Sequence, residues 1–227
     1  VRQNKDPQNQ FGYDNQFDKS PAELTSTMLP LRSVSLGALA AQGRFGTVYC
    51  GVYHDMQVAV KIFGPGERGS WEKELEVYRL PQMQHPNILR FIGTGTQTNA
   101  QTTLTDYWLL TTWHELGSLY DFLCRNTISY NQLLLLSDSI AKGVMHIHTD
   151  VAATKNDGYK PAMAHRDIKS RNIILKDDWL VSSFAFPFLH VNLFLTKQTL
   201  TDEKKESEVC SQSVSLLLVS LSVLNTA

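Results

Sequence analysis

The stretch AHRDIKSRNIIL occupies residues 164–175 and has the residue types and spacing of a catalytic loop. Asp167 could accept the proton of a hydroxyl group, Lys169 could hold a transferred phosphate, and Asn172 could ligate magnesium. A bare His-Arg-Asp tripeptide recurs by chance, whereas the full string H-R-D-x-K-x-x-N is far more demanding. The alternative is a purely structural loop in which Asp167 caps a neighbouring turn. The pattern therefore favours phosphoryl transfer to a hydroxyl group.

Upstream, AQGRFGTVYCGVY (41–53) runs into QVAVKIF (57–63), the pattern of two strands joined by a glycine turn and followed by a third strand. Gly43 and Gly46 let the backbone approach a phosphate closely, because no side chain intervenes. Lys61 would then reach the α- and β-phosphates of a nucleotide. Alone, this turn is a weak signal, and a solvated strand-edge lysine is the alternative. A dinucleotide site fits less well, because these glycines precede a strand rather than opening a helix.

The segment RGSWEKELEVYRL (68–80) is rich in helix formers and has apolar residues at roughly helical spacing. A carboxylate on this helix could pair with Lys61 and hold its ammonium over the phosphates. We expect Glu74 to be that partner, with Glu76 as the alternative, because thirteen residues from Lys61 to Glu74 leave room for a short loop and one helical turn. For either carboxylate, a solvated helix face is the competing interpretation.

Two further strands are predicted at LRFIGT (89–94) and DYWLLTTWHE (106–115), before a helix that can begin near residue 117. They would complete a five-stranded sheet around one helix. The backbone of 112–114 would form a hinge that hydrogen-bonds adenine, with Thr111 beside the pocket.

A long helix is predicted at 131–150, followed by a polar loop at 149–161. Its apolar stripe comprises Leu133, Leu136, Ile140, Val144 and Ile147. The sequence after Trp179 lacks the pattern of the helices that would cover this stripe. We therefore expect the stripe to be uncovered and to promote association.

Together these strings resemble the transforming-growth-factor-β receptor serine/threonine kinases, and within them the activin type II receptors. The resemblance covers about 34–180 and rests on GRFG (43–46), VAVKIF (58–63), SWEKELEVY (70–78), HPNILRFIG (85–93), HELGSLYDFL (114–123) and YKPAMAHRDIKSRN (159–172). It implies an α+β, bilobal protein-kinase-like fold with a complete amino-terminal lobe and an incomplete carboxy-terminal lobe.

The resemblance also implies the site. Asp167 would be the catalytic base, assisted by Lys169, Lys61 and Glu74; the cofactors would be ATP and Mg²⁺, with Mn²⁺ as an alternative ion, and Asn172 would be a metal ligand. The first position of G-x-G-x-x-G is alanine here, and this subgroup tolerates that loss. The ATP-binding residues would be Ala41, Gly43, Gly46, Val48, Ala59, Lys61, Thr111, Thr112, Trp113 and His114.

By the same resemblance, the parent protein is a single-pass plasma-membrane receptor. Its cytoplasmic kinase would phosphorylate a type I receptor, and its extracellular domain would bind activin- or bone-morphogenetic-protein-like dimers. Within this cytoplasmic portion we expect a flexible juxtamembrane linker at 1–33, a kinase amino-terminal lobe at 34–116, a partial carboxy-terminal lobe at 117–180 and a non-kinase tail at 181–227.

Composition agrees with this location. The longest apolar run, 214–224, has eleven residues and three serines, short of the roughly twenty that span a bilayer, so we expect the transmembrane segment to lie outside this chain. The 3 cysteines are too few and too scattered for a disulfide framework or zinc site, which fits a reducing cytosol. A net charge of -1 gives no electrostatic case for nucleic acid.

The sequence departs from the family after Trp179. The family carries Asp-Phe-Gly, whose aspartate chelates magnesium, whereas residues 185–187 read Ala-Phe-Pro, and Asp202 downstream is not followed by Phe-Gly. We therefore expect this chain to transfer little or no phosphate. Three interpretations stay open: a receptor kinase, an inactive module that binds nucleotide or partners, and a gene-model artefact in which 181–227 is an intron read in frame or a frameshift.

Overall fold

The computed structural model describes residues 28–44 and 46–176, together with the backbone of 181–184. Its main element is an antiparallel sheet in the order β1-β2-β3-β5-β4, which confirms the predicted five strands and the predicted α+β class. The strands are β1 (Val34–Gln42), β2 (Thr47–Tyr53), β3 (Met56–Phe63), β4 (Phe91–Thr98) and β5 (Thr105–Thr112).

The strand ends differ from the prediction where the chain turns. β4 begins at Phe91 rather than at residue 89, because Ile88 still closes a turn by donating to the carbonyl of His85. β5 ends at Thr112 rather than at residue 115, because the chain turns where Gly117 donates to the carbonyl of His114. Both shifts are of the size expected for boundaries predicted from pattern alone.

Helix α1 (Arg68–Tyr78) packs on one face of the sheet. A turn at Pro65–Glu67 precedes it, and proline there suits the start of a helix because its amide has no partner to lose. The helix buries Glu74, Leu75 and Val77. Leu75 joins a core cluster of the sheet face that also contains Phe63, Phe91 and Leu109.

The opposite face of the sheet is covered by residues 28–33, which the predicted linker includes. Leu29 is buried, its amide donates to the carbonyl of Thr94 at 2.7 Å, and Met28 forms a parallel bridge with Thr94. The Leu29 side chain occupies the space beside Gly93, where an added Cβ would lie 2.5 Å from it. The remainder of the predicted linker, 1–27, lies outside the described residues.

The second half of the chain contributes α2 (Leu119–Leu123), α3 (Tyr130–His148), β6 (Ile173–Leu175) and β7 (Val181–Phe184). Helix α3 begins with a capping box, in which the Ser129 hydroxyl accepts from the Gln132 amide and the Gln132 side chain accepts from the Ser129 amide. β7 pairs antiparallel with β6, so the predicted tail at 181–227 begins with a paired strand. Its residues 185–227 lie outside the described residues.

The apolar stripe of α3 is covered, so the expectation of an uncovered stripe is wrong for most of its length. Leu136, Ile140, Val144 and Ile147 are each at most 2% exposed, and Leu133 packs against the same cluster. The covering residues come from α1, α2, β6, the segment between α1 and β4, and the loop after α3, and they are Val77, Met83, Ile88, Leu119, Phe122, Met163, Ile173 and Leu175. The sequence pattern does not reveal these covering residues, because each element contributes only a few of them and the elements are far apart in the chain.

Lys160 fastens the end of α3 to the loop that follows it. Its ammonium donates to the carbonyls of Ile147 (3.4 Å), Thr149 (2.7 Å) and Pro161 (3.4 Å), and the side chain is 0% exposed. These carbonyls include groups that the helix end leaves without intrahelical partners. Burial lowers the pKa of Lys160 from 10.5 to about 8, and the nearby Asp150 carboxylate opposes that fall.

Candidate active site

The sheet face beneath α1 gathers several of the residues expected to bind a nucleotide. Antiparallel partners lie opposite each other and share a face. One transverse row joins Ala41 to Val48 and Val48 to Lys61. A second row, two residues along β3 and so on the same face, joins Ala59 to Thr111. The register thus places five of the expected residues on one surface.

The glycine turn between β1 and β2 is closed by a backbone hydrogen bond from Gly43 to the carbonyl of Gly46, at 2.9 Å. A Cβ at Gly46 would lie 2.6 Å from the backbone oxygen of Ile62, so only glycine fits between the turn and β3. At Gly43 an added Cβ would make an ordinary contact of 3.5 Å. Steric constraints therefore require glycine at position 46 but not at position 43.

Lys61 and Glu74 form an ion pair with 2.5 Å between Nζ and Oε2. The Lys61 side chain is 19% exposed and the Glu74 side chain is 6% exposed. The expected pairing is therefore present, and Glu76, the alternative partner, is exposed. Two residues along a helix turn the side chain to the opposite side, which explains why only one of these glutamates reaches the sheet.

Burial raises the pKa of the Glu74 carboxyl from its ordinary value, and the Lys61 ammonium opposes that rise. Burial and the charge of Glu74 also raise the pKa of Tyr78 well above its ordinary value. A paired carboxylate in such surroundings depends on its partner, because removing the ammonium would leave a buried charge unpaired. The ion pair therefore ties the position of α1 to Lys61.

The second group of site residues lies on the loop before β6. The Asn172 amide nitrogen donates to Asp167 Oδ2 at 2.9 Å and to the Asp167 carbonyl at 2.8 Å. The Lys169 ammonium lies 2.8 Å from Asp167 Oδ2. The three residues singled out by the string H-R-D-x-K-x-x-N thus contact one another around one carboxylate. Both Asn172 bonds use its nitrogen, and its carbonyl oxygen is the atom of the kind that magnesium binds.

The backbone of this loop is bent sharply just before Asp167. Arg166 has a φ of 61°, in the left-handed region that non-glycine residues seldom occupy. The Asp167 amide donates to the carbonyl of His165 at 2.9 Å, and the His165 side chain is 1% exposed. Such strain persists only where surrounding structure holds it, and it is common at functional sites.

The expected hinge follows β5. Thr111 is 5% exposed, and the Thr112 hydroxyl lies 3.3 Å from Nε2 of His114. The Trp113 indole N–H is buried and has no hydrogen-bond partner among the residues that the structure describes. The hinge segment therefore carries one buried donor that the described residues leave without a partner.

The described residues fit a nucleotide better than they fit its metal. An ammonium on a sheet face beside a tight glycine turn suits phosphate oxygens. For magnesium, Asn172 is the described candidate ligand, and no cluster of three or more His, Cys, Asp or Glu side chains arranged for a metal occurs in 28–44 and 46–176. Residues 185–187, where the family has Asp-Phe-Gly, lie outside the described residues.

A family comparison decides what this arrangement belongs to. Residues 34–189 match the model of the family described as protein tyrosine and serine/threonine kinase. The chain belongs to this kinase family. The sheet with α1 is accordingly the amino-terminal lobe of a kinase, and α2, α3 and the loop around Asp167 belong to its carboxy-terminal lobe.

Within the kinase family, the chain is similar to several curated activin receptors. The chain is 46% identical over 154 residues to activin receptor type-2A of Xenopus laevis, covering 67% of this chain and 29% of that protein. It is 44% identical over 153 residues to activin receptor type-2A of Homo sapiens, with the same two shares. It is 38% identical over 153 residues to activin receptor type-2B of Xenopus laevis, covering 67% and 30%.

The chain therefore spans under a third of the length of these kinase relatives. Among the described residues, no helix has both the length and the apolar character needed to cross a membrane.

Sequence reasoning missed two residues near the kinase ion pair. The sequence pattern indicates Trp71 only as part of the apolar spacing of the helix, and Thr94 only as part of a strand. In the structure the Trp71 indole N–H donates to the Thr94 hydroxyl at 3.0 Å. No motif signals this contact, because it joins residues 23 apart and depends on how α1 lies on the sheet.

Proposed function

We propose that the described residues form the nucleotide-binding and catalytic-loop parts of a receptor serine/threonine kinase of the activin type II kind. The observation that carries the proposal is the ion pair between Lys61 and the buried Glu74, on the same sheet face as Ala59 and Thr111. The relatives named activin receptor type-2A and type-2B support the receptor assignment.

In this proposal each site residue has a chemical task. Asp167 accepts the proton of a serine or threonine hydroxyl, and Lys169, beside its carboxylate, neutralises the transferred phosphoryl group. Lys61, held by Glu74, orients the α- and β-phosphates of ATP. Magnesium, when bound, neutralises charge on the phosphates, and Asn172 would help to hold it.

The proposed substrate and location follow from the relatives and the resemblance rather than from a contact in the structure. The acceptor is a type I receptor kinase, and the chain is part of the cytoplasmic portion of a single-pass plasma-membrane receptor. Activin- or bone-morphogenetic-protein-like ligands would act through an extracellular domain.

A second function, nucleotide or partner binding without turnover, is favoured by one observation. Residues 185–187 read Ala-Phe-Pro, so the family's magnesium-binding aspartate is missing from its motif. Removing a preorganised electrostatic group from a transition state commonly costs about 3–4 kcal/mol. We propose that this chain binds nucleotide and transfers little or no phosphate.

A phosphoryl-transfer assay separates these functions. The purified chain is incubated with magnesium and γ-labelled ATP, with the cytoplasmic part of a type I receptor as acceptor, and ATP affinity is measured with and without magnesium. We expect transfer near background, and we expect Ala185→Asp combined with Pro187→Gly to raise the magnesium-dependent affinity for ATP. Turnover by the unaltered chain that disappears in Lys61→Arg would overturn the low-activity proposal. Aggregation without a cooperative melt would support the artefact interpretation.

A further inference from the structure

Thr94 lies at a junction of hydrogen bonds between α1 and the sheet. Its hydroxyl donates to the Trp108 carbonyl at 2.7 Å and accepts the Trp71 indole N–H at 3.0 Å. The same N–H lies 3.3 Å from the Trp108 carbonyl. Thr94 is 1% exposed, so water does not compete for these bonds.

This junction and the ion pair hold the same helix to the same row of the sheet. Lys61 on β3 pairs with Leu109 on β5, and Leu109 pairs with Thr94 on β4. Trp71 precedes Glu74 by three residues, so both side chains project from one side of α1. The helix therefore contacts the row at two points, one on each side of Leu109.

Trp71 and Trp108 differ in the hydrogen bonds of their indole N–H groups. The Trp71 ring lies 4.9 Å from the Tyr107 ring, which adds an aromatic contact to the sheet. Trp108 is buried, and its indole N–H has no hydrogen-bond partner among the described residues. Trp71, unlike Trp108, therefore supplies a directional side-chain bond, and this bond joins α1 to the sheet.

We propose that Trp71 and Thr94 are positioning residues that hold α1 so that Glu74 stays on Lys61. The inference rests on the proposed function, because the ion pair has its phosphate-binding role only there. Without the Trp71 bond, α1 pivots on its remaining contacts and the carboxylate leaves the ammonium. Phosphate orientation by Lys61 is then lost even though the lobe remains folded.

The test compares Trp71→Phe, which keeps an aromatic ring but removes the N–H, with Thr94→Val, which keeps the side-chain shape but removes the hydroxyl. Thr98→Val is the matched control, because it removes a hydroxyl from an exposed position on the same strand, where the contact is with Thr105 and not with α1. The readout is acetylation of Lys61 by pulsed acetic anhydride, quantified by mass spectrometry against the exposed Lys73. Nucleotide affinity and urea unfolding are measured on the same samples.

We expect Trp71→Phe and Thr94→Val each to raise Lys61 acetylation relative to Lys73 by about fivefold and to weaken nucleotide binding by about as much, the effect of one buried hydrogen bond. Thr98→Val should leave both unchanged. In a Glu74→Gln background, Trp71→Phe should add nothing to either readout, because the contact it positions is already lost.

A lower free energy of unfolding with an unchanged Lys61 to Lys73 ratio in Trp71→Phe and Thr94→Val would overturn the inference, since it would show a structural role only. An equal rise in the ratio for Thr98→Val would also overturn it. If the unaltered chain binds no nucleotide while the ratio still changes as expected, the proposed function fails and the positioning role stands. Should Trp71→Phe not fold, Thr94→Val alone decides the question.

Discussion

Two histidine rings stack where the segment after α1 meets α3. The centroids of His85 and His146 lie 4.5 Å apart, with 14° between the ring planes. Burial lowers the pKa of His146, with further lowering by His85 and Lys160, while a hydrogen bond to the Gln82 backbone opposes it. Burial and Lys176 lower the pKa of His85. The folded state therefore favours neutral rings at this contact.

The stacked pair predicts a loss of stability in mild acid. Both folded pKa values lie below the ordinary 6.5, so the unfolded chain binds more protons as the pH falls through that value, and the free energy of unfolding falls with it. His146→Phe keeps a flat ring but removes one titrating group, so its stability should fall less between pH 7.5 and about 5.5. Urea unfolding across this range provides the measurement. Identical pH slopes for the two proteins would contradict the prediction.

Lys160 supports a second prediction at the residue scale. Lys160→Met keeps an unbranched side chain but leaves the carbonyls of Ile147 and Thr149 without this donor, so we expect a loss of about 1–3 kcal/mol in the free energy of unfolding at pH 7. Because the folded pKa is about 8 against an ordinary 10.5, the unfolded chain binds more protons between these values, and stability should rise with pH there. That rise should be absent from the variant. Equal stability of the two proteins at pH 7 would refute this role.

At the scale of elements, residues 28–33 pack on β4 because Gly93 has no side chain and leaves space for Leu29. An added Cβ would lie 2.5 Å from Leu29 Cδ1, so Gly93→Ala should lower the free energy of unfolding by about 1–3 kcal/mol through overpacking. Leu29→Ala should recover part of that loss in the double variant, because it removes the clashing atoms. Gly64→Ala is the matched control, since a Cβ there meets nothing within 4 Å. Additive losses in a urea-unfolding double-mutant cycle would contradict a direct clash.

The elements show where sequence reasoning succeeds and where it stops. The alternation of Val58 and Val60 with Lys61 predicts β3 because strand periodicity is local. The choice of Glu74 over Glu76 agrees with the ion pair in the structure, since the thirteen-residue spacing from Lys61 involves only a short segment of chain. The docking of Leu29 on Gly93 and the cover over Ile140 could not be predicted, because each depends on contacts between distant segments. The contact of Trp71 with Thr94 escaped for the same reason.

At the scale of the whole molecule, the junction after Trp179 decides how much of the chain is kinase. The family match reaches residue 189, and β7 pairs with β6, while Ala-Phe-Pro stands at 185–187. Sequencing of the mature transcript across the codons for 179–183 tests this junction: a message that continues into a strand ending in Asp-Phe-Gly would show that 181–227 is an artefact. Message that encodes the tail as written would instead establish an isoform without that motif.

The proposed function of the whole molecule requires nucleotide binding at the Lys61 and Glu74 ion pair. The measurement is a titration of the folded chain with a fluorescent ATP analogue and magnesium, repeated for Lys61→Arg and for Lys73→Arg, the same substitution at an exposed lysine of α1. We predict saturable binding that Lys61→Arg weakens about tenfold, because arginine cannot reproduce the lysine geometry, and that Lys73→Arg leaves unchanged. A cooperatively folding chain that binds no nucleotide, or binds it equally well in Lys61→Arg, would contradict the account.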